Sequence, residues 1–171
     1  DTLLKNHFTL YQGYVKNVNA LSDELAALSA AGKAGTPGWS ELKRRFGWEW
    51  NGMRLHELYF GNMSRVSTPL KPEIPNEREG SKLYEKIAEQ FGGFDKWLVD
   101  FKTVGSMRGI GWAILYRDTV AEKLFNVWVD EHDMGHLAGC TPLLVLDIFE
   151  HAYTLDYGIK KADYLEAFLK A

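Results

Sequence analysis

Cysteine is nearly absent from this chain, because Cys140 is the only one among its 171 residues. One cysteine cannot form an intramolecular disulfide, and it cannot build a cage of thiolates around a metal ion. Any metal that the chain binds must therefore be held by imidazole and carboxylate groups. This restriction directs attention to the histidine and acidic residues.

The chain also lacks long hydrophobic runs and a strong excess of charge. No stretch approaches the roughly 20 apolar residues of a membrane-spanning helix, and no secretory signal is visible. The net charge of −3 gives no general attraction for nucleic acid or for an anionic membrane. We therefore expect neither partner and take the cytoplasm as the default location, while Asp1 in place of Met is compatible with a removed N-terminal segment.

The first 68 residues are predicted to form an N-terminal helical hairpin. Apolar residues recur at three-and-four spacing from Leu3 to about Ser29, and a second helical pattern continues to about Met63. Glycines and a proline between the two patterns break the helix. Three prolines within residues 69–80 then predict an extended connector and a subdomain boundary.

Residues 81–171 are predicted to form a C-terminal subdomain of mixed structure. Two short helical patterns come first, and three short apolar runs with strand-like composition follow. These segments are Ser81–Phe91, Phe94–Gly105, Trp112–Tyr116, Leu124–Val129 and Leu143–Leu146, before a last helix at Lys161–Leu169. We therefore expect an α+β fold, in which the helical hairpin joins a small antiparallel three-stranded sheet with helices.

Asp147 and His151 carry the strongest chemical signal in the sequence. They are four residues apart and follow the apolar run Leu143–Leu146, so both side chains can converge on one metal ion beside a mostly dry wall. The alternative is a charged pair at the start of a helix, where aspartate favours the helix dipole. His7 and His56 lie on the predicted apolar faces of their helices, and taken alone each is more often a hydrogen-bonded core histidine than a ligand.

The run 141–153 resembles the C-terminal signature D-x-W-E-H of the iron/manganese superoxide dismutases, with Phe149 in the position of the tryptophan. Segments 7–17, 53–60 and 109–112 match the same family in the same order, so the resemblance covers nearly the whole chain. It implies that the chain dismutes superoxide into dioxygen and hydrogen peroxide. It also implies one iron or manganese ion per subunit, and the ligands are compatible with either metal.

The implied metal ligands are His7, His56, Asp147 and His151. Three neutral imidazoles and one carboxylate leave a position open for solvent. Two alternatives keep the metal but change the activity: a non-haem iron oxygenase, and a dismutase-like metal-binding dimer without turnover. A third imidazole argues against the oxygenase, because that class uses two histidines and one carboxylate.

The resemblance also implies two catalytic residues, Tyr14 and His132. Tyr14 resembles the family's gateway tyrosine, although six residues separate it from His7 where the family usually has seven, so Tyr11 is the alternative. The family supplies a hydrogen-bond donor to metal-bound solvent from one of two places. In this chain the first place is Gly52, which offers no donor, so we predict that His132 fills the space above Gly52.

Three further residues have implied or expected roles. Glu150 resembles the family residue that reaches across a homodimer to a ligand histidine of the partner, although a solvated surface glutamate is the alternative. Trp112 resembles an aromatic residue lining the metal pocket and fits a core tryptophan almost as well. His136 is expected to be structural or exposed, because glycines around it indicate a loop.

Overall fold

The computed structural model describes residues 2–63 and 78–171. Two long antiparallel helices, α1 (Thr2–Ala30) and α2 (Pro37–Gly61), form the predicted N-terminal hairpin. Pro37 occupies the first turn of α2, and the Thr36 hydroxyl accepts a hydrogen bond from the Trp39 N–H at 3.4 Å. Proline with fixed φ and a threonine cap start the helix at this point.

The C-terminal part contains helices and one sheet, as the sequence predicts. The helices are α3 (Arg78–Phe91), α4 (Phe94–Ser106), the four-residue α5 (Thr154–Tyr157) and α6 (Lys161–Phe168). The strands are β1 (Gly111–Asp118), β2 (Leu124–Asp130) and β3 (Cys140–Asp147), and a single 3-10 turn, Glu150–Ala152, follows β3. The α+β fold class is confirmed.

The three strands form an antiparallel sheet in the order β2-β1-β3. The central strand is buried from Trp112 to Tyr116, and its neighbours supply Val129 and Leu146 to the same core. A glycine is required at the start of β1, because a Cβ at Gly111 would lie 2.0 Å from the Val129 carbonyl oxygen and φ is +122°. The sheet therefore brings the end of β3 beside the start of β1.

The predicted connector at 69–80 lies mostly outside the described residues. Its last residues belong to α3, which begins at Arg78, earlier than the predicted start at Ser81. The division into subdomains therefore stays a prediction. No helix among the described residues is long and apolar enough to cross a membrane.

Candidate metal centre

Four side chains from different elements converge on one point inside the fold. His7 comes from α1, His56 from α2, Asp147 from the last position of β3, and His151 from the 3-10 turn. One ligand atom from each lies within 4.8 Å of the others. The first three are at most 1% exposed, whereas the His151 side chain is 28% exposed. The structure therefore brings together all the predicted ligands.

Asp147 is held by its backbone as well as by its carboxylate. Its Oδ1 accepts a hydrogen bond from the Phe149 N–H at 2.9 Å, and its carbonyl oxygen accepts one from the Tyr164 hydroxyl at 2.8 Å. The remaining oxygen, Oδ2, faces the three imidazoles. The end of β3 is thus oriented so that one carboxylate oxygen is available to a ligand.

The Asp147 carboxylate keeps its charge despite complete burial. Burial by itself raises the pKa of this group, but hydrogen bonds from His151 and His7 outweigh that effect and hold the pKa below its usual range. Their Nε2 atoms lie 3.2 and 2.8 Å from Oδ2. Burial also lowers the pKa of His56, which favours the neutral imidazole that metal binding requires.

The arrangement around His56 is incomplete without a cation. Its Nδ1 lies 2.5 Å from the Gly52 carbonyl oxygen, which can only accept, so Nδ1 carries the ring proton. Nε2 is then an unprotonated acceptor, 3.7 Å from the acceptor Oδ2 of Asp147. Among the described residues, His56 Nε2 and His7 Nδ1 are the buried side-chain atoms without a hydrogen-bond partner. A metal ion between the ring nitrogens and Oδ2 would give His56 Nε2 the partner that it lacks and would separate it from the facing acceptor Oδ2.

Tyr14, rather than Tyr11, is directed toward this cluster. Its ring centroid is 5.3 Å from that of His56, and its hydroxyl oxygen is 2.7 Å from His132 Nε2. The Tyr11 hydroxyl instead donates to Glu57 at 3.0 Å. Because α1 is an unbroken α-helix, two turns separate His7 from Tyr14 and place them on nearly the same face. The shorter spacing is compatible with a regular helix.

The prediction that His132 fills the space above Gly52 is wrong. A Cβ at position 52 would lie 2.6 Å from Cδ1 and from Cε1 of Tyr14, so the Tyr14 ring occupies that space. His132 lies beyond Tyr14 and is fully buried. The physical reason is the close approach of α1 to α2, which brings an α1 side chain over the glycine.

His132 is fixed by contacts on both ring nitrogens and on its backbone. The Trp112 indole N–H donates to Nδ1 at 3.1 Å, and Nε2 contacts Tyr14. His136, half-buried, uses its Nε2 to donate to the His132 carbonyl at 2.9 Å, and its Nδ1 lies 2.6 Å from the Tyr116 hydroxyl. The structural role expected for His136 fits this contact. Burial lowers the pKa of His132 to about 4, so the ring is neutral at neutral pH.

The sequence reasoning missed Trp48, which covers the outer side of this pair. Its ring centroid is 4.6 Å from that of His132 and 5.7 Å from that of Tyr14, and its N–H donates to Glu131 at 2.9 Å. The Arg45 guanidinium lies 4.0 Å from the Trp48 ring. A signal was present, because Trp48 precedes Gly52 and His56 at intervals of four residues, which places all three on one face of α2.

Phe149 and Glu150 occupy different surroundings. The Phe149 ring packs between two histidines, with centroid distances of 4.9 Å to His132 and 5.3 Å to His151. Glu150 is exposed, next to the partly exposed His151. Phe149 therefore forms part of the wall between the cluster and His132, whereas the Glu150 side chain lies at the surface.

Comparisons with known proteins agree with this geometry. Residues 78–171, more than half of the chain, match the family model described as iron/manganese superoxide dismutases, C-terminal domain. A manganese superoxide dismutase from Haloferax volcanii is 39% identical over 99% of the chain and 80% of that protein. An iron superoxide dismutase from Aquifex pyrophilus is 35% identical over 98% of the chain and 76% of that protein. The chain belongs to the iron/manganese superoxide dismutase family.

Proposed function

We propose that this protein is a superoxide dismutase in which His7, His56, Asp147 and His151 hold one iron or manganese ion. The observation that carries the assignment is the pair of facing acceptors, His56 Nε2 and Asp147 Oδ2, 3.7 Å apart in a buried site. Curated relatives with each metal in their names, from Haloferax volcanii and Aquifex pyrophilus, support both candidate ions. Two superoxide anions and two protons give one dioxygen and one hydrogen peroxide.

When bound, iron or manganese supplies one-electron redox chemistry at this point. The protein's contribution begins with charge, because one carboxylate and three neutral imidazoles leave a divalent ion with a net positive charge. A chain of net charge −3 attracts anions weakly as a whole, so this buried charge is the attraction for superoxide. The cluster also offers the metal no thiolate ligand, because Cys140, the only cysteine of the sequence, is not among its residues.

The same reaction consumes two protons, and we propose that the hydrogen-bonded pair Tyr14 and His132 takes part in delivering them. The Tyr14 hydroxyl is half-buried beside His56, and burial raises its pKa to about 12. The group therefore stays protonated at neutral pH and can donate a hydrogen bond or a proton to a small anion. Its partner His132 is fully buried and packs against the rings of Trp48 and Phe149.

The test is dismutation by protein reconstituted separately with iron and with manganese, with metal occupancy quantified in each. Activity with either ion supports the function and identifies the working metal. Full occupancy without activity in both would contradict it and favour the dimer without turnover. Oxygen uptake that depends on an organic substrate would favour the oxygenase.

We also propose a homodimer with Glu150 at the interface. The support is the exposure of Glu150 beside His151, whose side chain is the one ligand that remains 28% exposed. A partner surface placed there would cover that ring and give Glu150 a histidine to contact. Sedimentation of wild type and of Glu150→Gln tests this: a weaker dimer is expected in the variant, and a monomeric wild type would contradict the proposal.

A further inference from the structure

One buried charged residue has no part in the candidate metal centre. The buried polar and charged side chains among the described residues are His7, Glu49, His56, His132 and Asp147. All except Glu49 belong to the metal cluster or contact Tyr14. Glu49 lies on α2, and its side chain is 4% exposed. A buried carboxylate is unfavourable unless it is paired and hydrogen-bonded, so its partners indicate its role.

Both carboxylate oxygens of Glu49 have a partner. Oε1 accepts a hydrogen bond from the Arg45 Nε–H at 2.9 Å, one turn earlier on α2, and Arg45 Nη2 lies 2.8 Å from the same oxygen. Oε2 accepts a hydrogen bond from the side-chain amide of Asn17, on α1, at 3.1 Å. Glu49 therefore connects the two helices of the hairpin by a hydrogen bond between side chains.

The contact between Asn17 and Glu49 lies one turn away from the place where Tyr14 packs on α2. Asn17 is three residues after Tyr14, and Glu49 is three residues before Gly52. The Tyr14 ring covers Gly52, since a Cβ there would lie 2.6 Å from two of the ring atoms. Because the helices are antiparallel, the two contacts are neighbours in the same helix–helix register.

We propose that Glu49 is a positioning residue whose bond to Asn17 fixes the axial register of α1 against α2, so that the Tyr14 ring lies over Gly52 beside His56. The catalytic meaning of this inference rests on the proposed function. The location of the Tyr14 ring is a property of the fold and can be measured without turnover.

A directional bond defines the register more sharply than apolar packing does. Contacts between apolar side chains are non-directional, and cores of similar volume and pattern tolerate altered packing. A slip of α1 along α2 by about 3 Å, the rise of two residues, would carry the Asn17 amide beyond hydrogen-bonding distance of Glu49. The buried carboxylate would then lack one donor, which disfavours other registers. A single buried polar residue specifies register in coiled coils in the same way.

The other partner of Glu49 supports the outer side of Tyr14. The Arg45 guanidinium, held by Glu49, lies 4.0 Å from the Trp48 ring. The centroid of that ring is 5.7 Å from the centroid of the Tyr14 ring. Glu49 therefore acts on Tyr14 from two directions, through Asn17 on α1 and through Arg45 and Trp48 on α2.

Fluorine NMR of the full chain, labelled with 3-fluorotyrosine and loaded with diamagnetic zinc, measures the location of the Tyr14 ring. A nuclear Overhauser effect between the Tyr14 fluorine and the Gly52 α protons reports the ring above the glycine, and a Tyr14→Phe sample identifies the signal. Glu49→Gln should weaken this effect, because an amide cannot accept hydrogen bonds with both of its polar atoms.

Glu41→Gln is the matched control for Glu49→Gln. Glu41 also pairs with an arginine of α2, Arg44, but its side chain is 62% exposed. Both substitutions remove one negative charge from an ion pair of the same helix. Glu41→Gln should leave the Overhauser effect between Tyr14 and Gly52 at its wild-type strength.

A variant with an apolar pair separates register from stability. Asn17→Leu/Glu49→Leu replaces two polar side chains by apolar ones, an exchange that often leaves the free energy of unfolding unchanged or increases it. We expect the urea midpoint to stay near that of wild type while the Overhauser effect is lost. Dismutation with iron or manganese should fall by up to about 100-fold, because a displacement of about 1 Å can cost that much. A purely structural pair would leave both the Overhauser effect and turnover as in the wild type.

The outcomes separate this inference from the proposed function. A wild-type Overhauser effect in Glu49→Gln or in the apolar double variant would overturn the positioning role, whatever the activity. Asn17→Ala, which removes only the donor from α1 at an exposed position, replaces either variant if it does not fold. The expected loss of the effect, in a protein whose wild type does not dismute superoxide with either metal, would contradict the proposed function and leave the positioning role in place.

Discussion

The two halves of the molecule supply two of the clustered side chains each, but they hold them in different ways. His7 and His56 project from long helices, where the backbone hydrogen bonds are made within the helix and the residue spacing alone selects the face. Asp147 stands at the end of a strand, where its carbonyl depends on Tyr164 from α6 and its carboxylate on the Phe149 N–H. Helical ligands are placed by periodicity, whereas the strand-end ligand needs support from distant residues.

Removing the charge of Asp147 should have the largest effect. Asp147→Asn leaves a neutral oxygen among three imidazoles, so we expect affinity for iron or manganese to fall by more than about 100-fold, beyond the loss typical of an outer hydrogen-bond partner. Asp118→Asn is the control, because Asp118 also ends a strand and accepts from a backbone N–H, that of Val120 at 3.0 Å. Metal titration measures both, and equal affinities for the two variants would contradict the assignment.

Two glycines of α2 provide the sharpest test of the helical half. A Cβ at Gly52 would lie 2.6 Å from two atoms of the Tyr14 ring, whereas nothing lies within 4 Å of a Cβ at Gly47. Gly47→Ala should stabilise the protein by up to about 1 kcal/mol, because alanine is the better helix former. Gly52→Ala should destabilise it by about 1–3 kcal/mol, because overpacking displaces the Tyr14 ring.

Urea unfolding measures both glycine variants, and dismutase assays add a second comparison. Turnover should fall in Gly52→Ala and remain near wild type in Gly47→Ala. The same sign of the stability change in both variants would mean that Tyr14 does not occupy the space above Gly52.

These glycines also show where sequence reasoning succeeded and where it failed. Periodicity predicted both long helices and the faces that carry His7 and His56, and short apolar runs of strand-like composition predicted the three strands. The contents of the space above Gly52 were beyond that reasoning. They depend on how closely α1 packs against α2. Side chains of both helices determine that distance, so the hydrophobic periodicity of one helix cannot predict it.

The network around His132 was predictable only in part. Its proximity to the site followed from the family resemblance, and its contact with Tyr14 agrees with that prediction. The donors that fix it, Trp112 from β1 and His136 from the loop after β2, are 20 and 4 residues away in sequence. Side-chain hydrogen bonds between distant segments leave no periodic signal, so the structure was needed to identify them.

Acid should weaken the wild type more than a variant without His132. The pKa of His132 is about 4 in the folded chain and 6.5 in the reference state, so between those values the unfolded chain binds more protons. Stability is therefore lost as pH falls through that window. From about pH 7.5 to about pH 5, the wild type should lose roughly 2 kcal/mol more than His132→Gln.

Urea unfolding of both proteins in the same metal state measures this difference. The four clustered residues are common to wild type and variant, so their own titration cancels in the comparison. An equal loss of stability in the two proteins would mean that His132 takes up a proton freely in the folded state.

The smallest expected effect tests the support that the strand-end ligand receives. Tyr164→Phe removes the hydroxyl that lies 2.8 Å from the Asp147 carbonyl and leaves that buried acceptor without its donor. We expect a loss of about 1 kcal/mol in the free energy of unfolding. Tyr153→Phe is the control, because its ring stacks on Tyr164 at a centroid distance of 5.7 Å but its hydroxyl is not the donor to Asp147.

The metal affinity of Tyr164→Phe distinguishes local support from general stability. If Tyr164 orients the end of β3, affinity should fall by about 10-fold, the lower limit for a lost outer hydrogen-bond partner, while Tyr153→Phe binds as the wild type does. A loss of stability without a loss of affinity would mean that the sheet alone holds Asp147 in place. The strand-end ligand and the helical ligands would then differ less than their hydrogen bonds indicate, because the strand would position Asp147 without outside support, as the helices position His7 and His56.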